Sequence, residues 1–222
     1  MKNLTLIIPT RNEKESLPIF LKELEKYNCS KHIVLDNKDY VTLKAIKNIK
    51  KIKIIRQKKS GYGNALIAGI KSAKTKYCCI INADGSMDPK YLQKKLKIAN
   101  NYDFIFSSRY SGKLAGSEDD DFITLIGNYF FSLIGKIFFS LKINDILYTY
   151  ILGKTKSFKN LNLKYYDFRI CVEIPIKAKR KNYLIRDFAS YERKRIGGKK
   201  KVNAIIDGFL ILITMIKLFF QK

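Results

Sequence analysis

Histidine, paired cysteine and acidic residues are what this chain of 222 residues has little of. It has one histidine, His32, and none of its four cysteines (Cys29, Cys78, Cys79 and Cys171) stands in a C-x-x-C pair, which excludes a Cys/His metal cluster. Cys78 and Cys79 are neighbours in an apolar run. On a strand they point to opposite faces and do not pair, so reduced, cytosol-facing thiols are the simplest reading. The start reads as no signal peptide, since MKN leads straight into the strand-like LTLII with Pro9 close behind. Internal repeats and long linkers are absent. Acid is scarce: 19 Asp and Glu stand against 44 Lys and Arg, a net charge of +25. That imbalance implies a polyanionic partner, for which nucleic acid, anionic lipid and a phosphorylated substrate are the candidates. Abundant Lys, Ile, Asn, Tyr and Phe also fit the drift of an A/T-rich coding sequence. Hydrophobic residues make up 46%, enough for a sizeable core, so wholesale disorder is excluded.

The first half alternates short apolar runs with helical patterns. Strands are expected at Leu4–Ile8, His32–Leu35, Ile52–Ile55, Tyr77–Ile81 and Asp103–Phe106. Leu17, Phe20, Leu21 and Leu24 recur at helical spacing, and Ala65, Ala68, Gly69 and Ala73 make a small-residue helix suited to close packing on a sheet. Asp88–Pro89 reads as an N-cap followed by Pro at the first helical position. Such alternation predicts an α/β fold with a mostly parallel central sheet covered on both faces. Ligands then bind at the carboxyl ends of the strands, which directs attention to Pro9–Glu13, Asp36–Asp39, Asn82–Gly85 and Ser107–Tyr110.

The second half changes character. Phe122–Leu141 carries one charge, Lys136, and an apolar run at Gly208–Ile216 extends through Phe220 in a helix expected over 204–220. Both suit amphipathic helices lying in a membrane interface. A buried helix or the face of a homo-oligomer is the alternative, and a spanning helix is the third. The expected division is one catalytic domain with a nucleotide-binding half over 1–115 and an acceptor-side half over 116–222.

Chemistry concentrates in four segments. A strand delivers Asn82-Ala83-Asp84 to its carboxyl end, where a carboxylate and an amide oxygen can hold Mg²⁺ or Mn²⁺ with substrate phosphates completing the shell; turn-making before the next helix is the plainer role. Gln57-KKSGYGNALIAG sets Lys59, Gly61 and Gly63 before a helix start, where backbone and helix N-terminus can approach phosphate, although it matches neither the Walker nor the dinucleotide pattern. Pro9, Thr10, Arg11, Asn12 and Glu13 end the first strand with groups that can bond a base or ribose, or cap the next helix. Glu118-Asp119-Asp120-Asp121 offers a general base, with Asp120 as the candidate, or simply the capped start of a helix.

Taken together, Ile7-IPTRNEKESLP, Ile33-VLDN, Ser60-GYGNALIAGI, Ile80-INADGSMDPKYL, Ser107-SRY, Glu173-IPIKAKRKNY and Arg193-KRIGGKKKVNAIIDG resemble, in order and spacing, the family-two glycosyltransferases of the GT-A fold. Within them the likeness is to dolichyl-phosphate-mannose-synthase-like enzymes and bacterial polyprenyl-phosphate glycosyltransferases. The resemblance implies a three-layer sandwich, a nucleotide-sugar donor (UDP- or GDP-sugar), a divalent metal and inversion at the anomeric carbon. It places Pro9, Thr10, Asn12 and Glu13 in the nucleotide pocket with Asp36 near the base, Asp84 at the metal, and Arg109, Arg195 and Lys201 at the leaving diphosphate. Asn82 stands where the family has an acid, Leu35 where it has the first of two acids, and Asp145 alone survives from a longer acceptor-side motif. The expected activity is sugar transfer to a polyprenyl phosphate or other lipid-linked acceptor, by a protein peripheral to an anionic membrane surface on its cytoplasmic face. The alternatives are transfer to a soluble or glycan acceptor, and an inactive relative that only binds nucleotide sugar. No recognised nucleic-acid-binding motif appears, so nucleic acid is not an expected partner.

Overall fold

The computed structural model describes residues 1–198 and 200–221. Strand β1 (Leu4–Thr10) leads through helix α1 (Ser16–Leu24) to β2 (Ser30–Leu35). Next come α2 (Tyr40–Ala45), β3 (Lys53–Arg56), α3 (Tyr62–Ser72), β4 (Tyr77–Ile80), α4 (Tyr91–Ile98) and β5 (Phe104–Ser108). The second half contributes β6 (Gly116–Ser117), α5 (Phe122–Phe139), β7 (Ile151–Lys154), α6 (Thr155–Asn160), α7 (Ile170–Arg180), β8 (Ile185–Ala189), β9 (Tyr191–Glu192) and α8 (Ala204–Phe220). Seven strands form one sheet in the order β3-β2-β1-β4-β7-β5-β8, and β6 and β9 form a small second sheet. Only β7 runs antiparallel in the large sheet, wedged between β4 and β5. The fold is thus the expected α/β sandwich, with helices on both faces.

Alternation along the strands feeds two cores. Ile7, Val34, Cys78 and Ile80 face α3, α7 and α8, whereas Leu6, Ile8, Ile33, Cys79 and Ile81 face α1 and α4. The adjacent cysteines therefore do lie on opposite faces, and all four are free thiols. Gly69 shows why α3 is built of small residues: a Cβ there would lie 2.3 Å from the Ile7 side chain. Asp88 caps a turn rather than the helix proper. Its carboxylate accepts from Lys90 N, and α4 begins only at Tyr91.

Helix α5 is shorter than expected. Ser140 takes a left-handed conformation and ends it, so Leu141 falls outside and turns into the core. Asp121 caps its start, accepting from Thr124 N at 2.8 Å. Phe131, Ser132 and Gly135 face inward, while Phe122, Ile123 and Tyr129 face out. The 18 residues of α5 meet the length and composition needed to cross a membrane. Helix α8 packs beside it, with Phe219 edge-on to Phe138 and Phe139.

Candidate active site

The carboxyl ends of β1 and β4 open into a cavity of about 520 Å³. One wall is Pro9, Thr10 and Arg11; the floor is Asn82, Ala83 and Asp84. The far wall comes from Asp119–Asp121 before α5, Leu147–Thr149 before β7, and Asp167–Phe168 before α7. A strap, described over 193–198 and 200–202, adds Arg195, Lys200, Lys201 and Val202 to the lining.

Asp84 is held by the turn it starts. Its Oδ1 accepts from Ser86 N (3.1 Å) and the Ser86 hydroxyl (2.9 Å), leaving Oδ2 toward Arg195 Nη1 at 3.6 Å. Gly85 is required here, with φ of +76° and a position where a Cβ would lie 2.4 Å from Ile196 of the strap. Ile196 N in turn donates to Asp84 O at 2.8 Å, which pins the strap to the motif. Asn82 Oδ1 accepts from the Tyr62 hydroxyl at 3.0 Å. Hard oxygens of this kind suit Mg²⁺ or Mn²⁺, with Asp84 Oδ2 as the carboxylate atom free of hydrogen bonds. Among the described residues no cluster of three acidic, His or Cys ligands exists, so a divalent ion held here needs donor phosphates to complete its shell.

The strap is fastened by its own cations. Arg195 makes a two-point contact with Asp119 (3.0 and 2.5 Å), Lys200 pairs with Asp121 at 3.1 Å, and Lys201 pairs with Glu13. Arg193 grips Glu23 and the carbonyl of Gly85. The bond to Asp119 raises the Arg195 pKa further, against burial. These contacts bring Asp84, Arg195, Lys201 and Glu13, four expected site residues, to one mouth.

Arg109 is placed differently from its expected role. Its Nε and Nη2 bind Asp145 at 2.7 and 3.0 Å, while Nη1 binds Asp120 and Glu192, each at 3.0 Å. Burial works against its charge, and Asp145, Glu192 and Asp120 more than offset that, holding its pKa well above the ordinary arginine value. A guanidinium so committed organises the far wall and has little left for a diphosphate. Asp145, fully buried, also accepts from Arg109 N, so its place is beneath the site rather than in it. Asp120 is taken on both oxygens, by Arg109 and by the Tyr110 hydroxyl.

The glycine loop also needs correction. Gly61 and Gly63 make room for the chain's own backbone: a Cβ at either would lie 2.2–2.3 Å from the carbonyl of Tyr166 or Tyr165. Asn64 N, at the start of α3, already donates to Tyr166 O at 3.0 Å, so that N–H is not available to phosphate. Gly61 touches the cavity, but Gly63 and Lys59 do not; Lys59 Nζ stands over the Tyr166 ring. Asn12 and Asp36 also lie off the cavity wall. Asn12 N donates to Asp39, and Asp36 accepts from Lys38 N, a bond that lowers its pKa. Pro9, Thr10, Glu13 and Asn82 do line it.

Sequence reasoning misses several lining residues, Glu192 and Tyr148 among them. Glu192 directly precedes the basic strap, and an acid at the edge of a basic run is the available signal. Tyr148 lies three residues after Asp145, in a segment with no pattern to mark it.

Comparison with known proteins matches the same architecture. A model described as glycosyl transferase family 2 covers residues 5–170. The chain belongs to that family. Glycosyltransferases of Mycobacterium bovis and Mycobacterium tuberculosis, themselves named as uncharacterized, are 24% identical over 211 residues, 94% of this chain and 94% of theirs. Among solved structures, glucosyl-3-phosphoglycerate synthase from M. tuberculosis, in complex with Mn²⁺, UDP and phosphoglyceric acid, superposes with a TM-score of 0.71 at 11% identity. It covers 100% of this chain and 80% of that one. Mannosyl-3-phosphoglycerate synthase from Rubrobacter xylanophilus gives 0.73 at 10% identity, covering 97% and 73%. These likenesses carry the family-two assignment and the GT-A-type fold. They do not single out the dolichyl-phosphate-mannose-like branch.

Proposed function

We propose that this family-two glycosyltransferase takes a UDP- or GDP-sugar as donor and transfers the sugar to a soluble or glycan acceptor. The observation that supports it best is the juxtaposition of Asp84 at the carboxyl end of β4 with Arg195, Lys200 and Lys201 of the strap. Pro9, Thr10 and Arg11 provide the adjoining wall for the nucleoside. Cations now paired with Asp119, Asp121 and Glu13 stand where a leaving diphosphate develops charge, so exchange of one anion for another stabilises departure. Asp84, with Asn82 beside it, would hold a Mg²⁺ or Mn²⁺ ion, which supplies further charge neutralisation at the phosphates. The reaction is a single in-line displacement that inverts the anomeric carbon. The similar M. tuberculosis structure holds UDP, Mn²⁺ and phosphoglyceric acid, which favours a soluble acceptor over a polyprenyl phosphate.

A screen of UDP- and GDP-sugars for released nucleotide, with Mn²⁺, with Mg²⁺ and with a chelator, tests this reading. Release that needs the metal and one donor is expected, and NMR of the product reads its anomeric configuration. Donor binding without release under every condition would identify the inactive relative instead.

A second reading concerns location. The outward faces of α5 and α8 leave Phe122, Tyr129, Ile205, Phe209 and Phe220 exposed. Such faces beside a basic strap suit the interface of an anionic membrane on its cytoplasmic side, or a second copy of the chain. Flotation with phosphatidylglycerol vesicles decides: co-migration is expected at the membrane, and a dimer that ignores vesicles contradicts it.

A further inference from the structure

The cavity has the opposite charge balance to the chain. Against a net charge of +25, eight described lining residues are Asp or Glu and five are Lys or Arg. Their placement matters more than their number. Arg11 stands at the nucleoside wall, and Arg195, Lys200 and Lys201 belong to the strap over the diphosphate. The remaining cation, Arg109, is spent on Asp145, Asp120 and Glu192. Among the described residues, the only other lining cations reaching the far wall are the strap's Arg195 and Lys200, on Asp119 and Asp121. The reading above commits those to the donor diphosphate, so none is left over for an anionic acceptor. A phosphate placed there would displace one of these buried pairs and face the carboxylates left behind.

Two side-chain atoms on that wall have no hydrogen-bond partner among the described residues. The Tyr148 hydroxyl belongs to a residue only 4% exposed, yet it has no hydrogen-bond partner. Buried hydroxyls are ordinarily paired, so an orphan on a residue that lines a cavity is satisfied when a small shift brings a ligand's polar group to it. Its ring lies 4.5 Å from the Arg109 guanidinium, which fixes its place beside the carboxylates. Oε1 of Glu192 is the other. The carboxylate's bonds from Ser117 (2.6 Å) and Arg109 (3.0 Å) both go to Oε2, so Oε1 carries neither. The Met87–Glu192 bridge and the bond from Arg193 N to Ser86 O seat this carboxylate against the loop that presents Asp84. Asp120, the acid favoured by the sequence, has both oxygens occupied.

We infer that the acceptor is an uncharged compound reacting through a hydroxyl group, and that Glu192 is the catalytic base. The inference rests on the glycosyltransferase reading above. As the acceptor oxygen bonds to the anomeric carbon, its proton passes to Glu192 Oε1. The bond from that carbon to the donor diphosphate breaks, and its electron pair leaves with the nucleoside diphosphate. The Tyr148 hydroxyl positions the incoming polyol or sugar. Burial also raises the Glu192 pKa, opposed by Arg109, which suits a group that must accept a proton.

The test measures nucleotide release from the active donor in the presence of glycerol, methyl glucoside, 3-phosphoglycerate or farnesyl phosphate. Water serves as the minimal hydroxyl acceptor in every arm. The uncharged probes should raise release above the water background and the phosphate-bearing ones should not. Glu192→Gln should lower release to water and to glycerol about 100-fold, with the donor Kd by calorimetry unchanged. Tyr148→Phe, which removes only an unpaired hydroxyl, should raise the KM for glycerol and leave the donor Kd alone. Greater stimulation by either phosphate probe, or a wild-type rate of donor hydrolysis in Glu192→Gln, would overturn the inference while the donor reading stands. A wild-type protein that binds no nucleotide sugar would overturn both.

Discussion

The two walls of the cavity are built on different terms. The wall at the ends of β1 and β4 is made of consecutive residues that a strand delivers to its carboxyl end, so Pro9–Arg11 and Asn82–Asp84 reach the site by local geometry alone. The far wall is assembled from segments that meet only in three dimensions. There Arg109 ties the end of β5 to Asp145, Asp120 and Glu192, and Arg195 of the strap reaches Asp119. Strand ends supply the chemistry that recurs across α/β folds. The buried network fixes the shape of the far wall, and its polar groups are largely spent on one another.

The sharpest way to break that contrast is to cut the network. Asp145→Ala leaves the Arg109 guanidinium buried without its two-point partner, and a loss of about 3–5 kcal/mol is expected from removing one member of a buried pair. Chemical denaturation reads it; a loss below about 1 kcal/mol would mean that the far wall is not held by Arg109.

A second variant probes the joint between the halves. Lys95 of α4 is fully buried with no carboxylate partner; its Nζ donates to Tyr150 O at 3.0 Å. Burial pushes its pKa from 10.5 down to about 7. In the unfolded chain the amine binds a proton up to its ordinary pKa, so folding is penalised fully below pH 7, and the penalty fades as pH rises toward 10.5. Lys95→Met should therefore raise stability by a few kcal/mol at pH 7, with the gain shrinking by pH 10. Tyr150 O keeps its bond from Ser107 N. A gain independent of pH would contradict the buried-amine account.

Gly61→Ala is a smaller perturbation. Its φ of +122° disfavours any side chain, and an added Cβ would lie 2.2 Å from the Tyr166 carbonyl oxygen, so a loss of about 1–3 kcal/mol is expected. Donor affinity should follow only through that loss, because the glycine serves the Tyr166 backbone. A selective fall in donor binding at unchanged stability would return the loop to phosphate contact.

These cases also separate what was legible in the sequence from what was not. The strands around β1 and β4 announced themselves as apolar runs, and α3 by small residues at helical spacing. β7 did not, because four residues containing a glycine and a lysine carry no period. Gly61 was legible as a conformational requirement but not as to its neighbour, since Tyr166 lies far along the chain. Arg109 was legible as a cation at a strand end; that three carboxylates claim it depends on tertiary placement. Asp84 was readable because its setting is local.

The most direct measurement compares nucleotide release by the wild-type protein and by Asp84→Ala on the donor that the screen selects. Asp84 presents one oxygen to the cavity and shares a mouth with the strap cations, so turnover should fall about 100-fold or more while the thermal midpoint stays within a few degrees. Full turnover in Asp84→Ala would contradict the placement of the donor diphosphate beneath the strap.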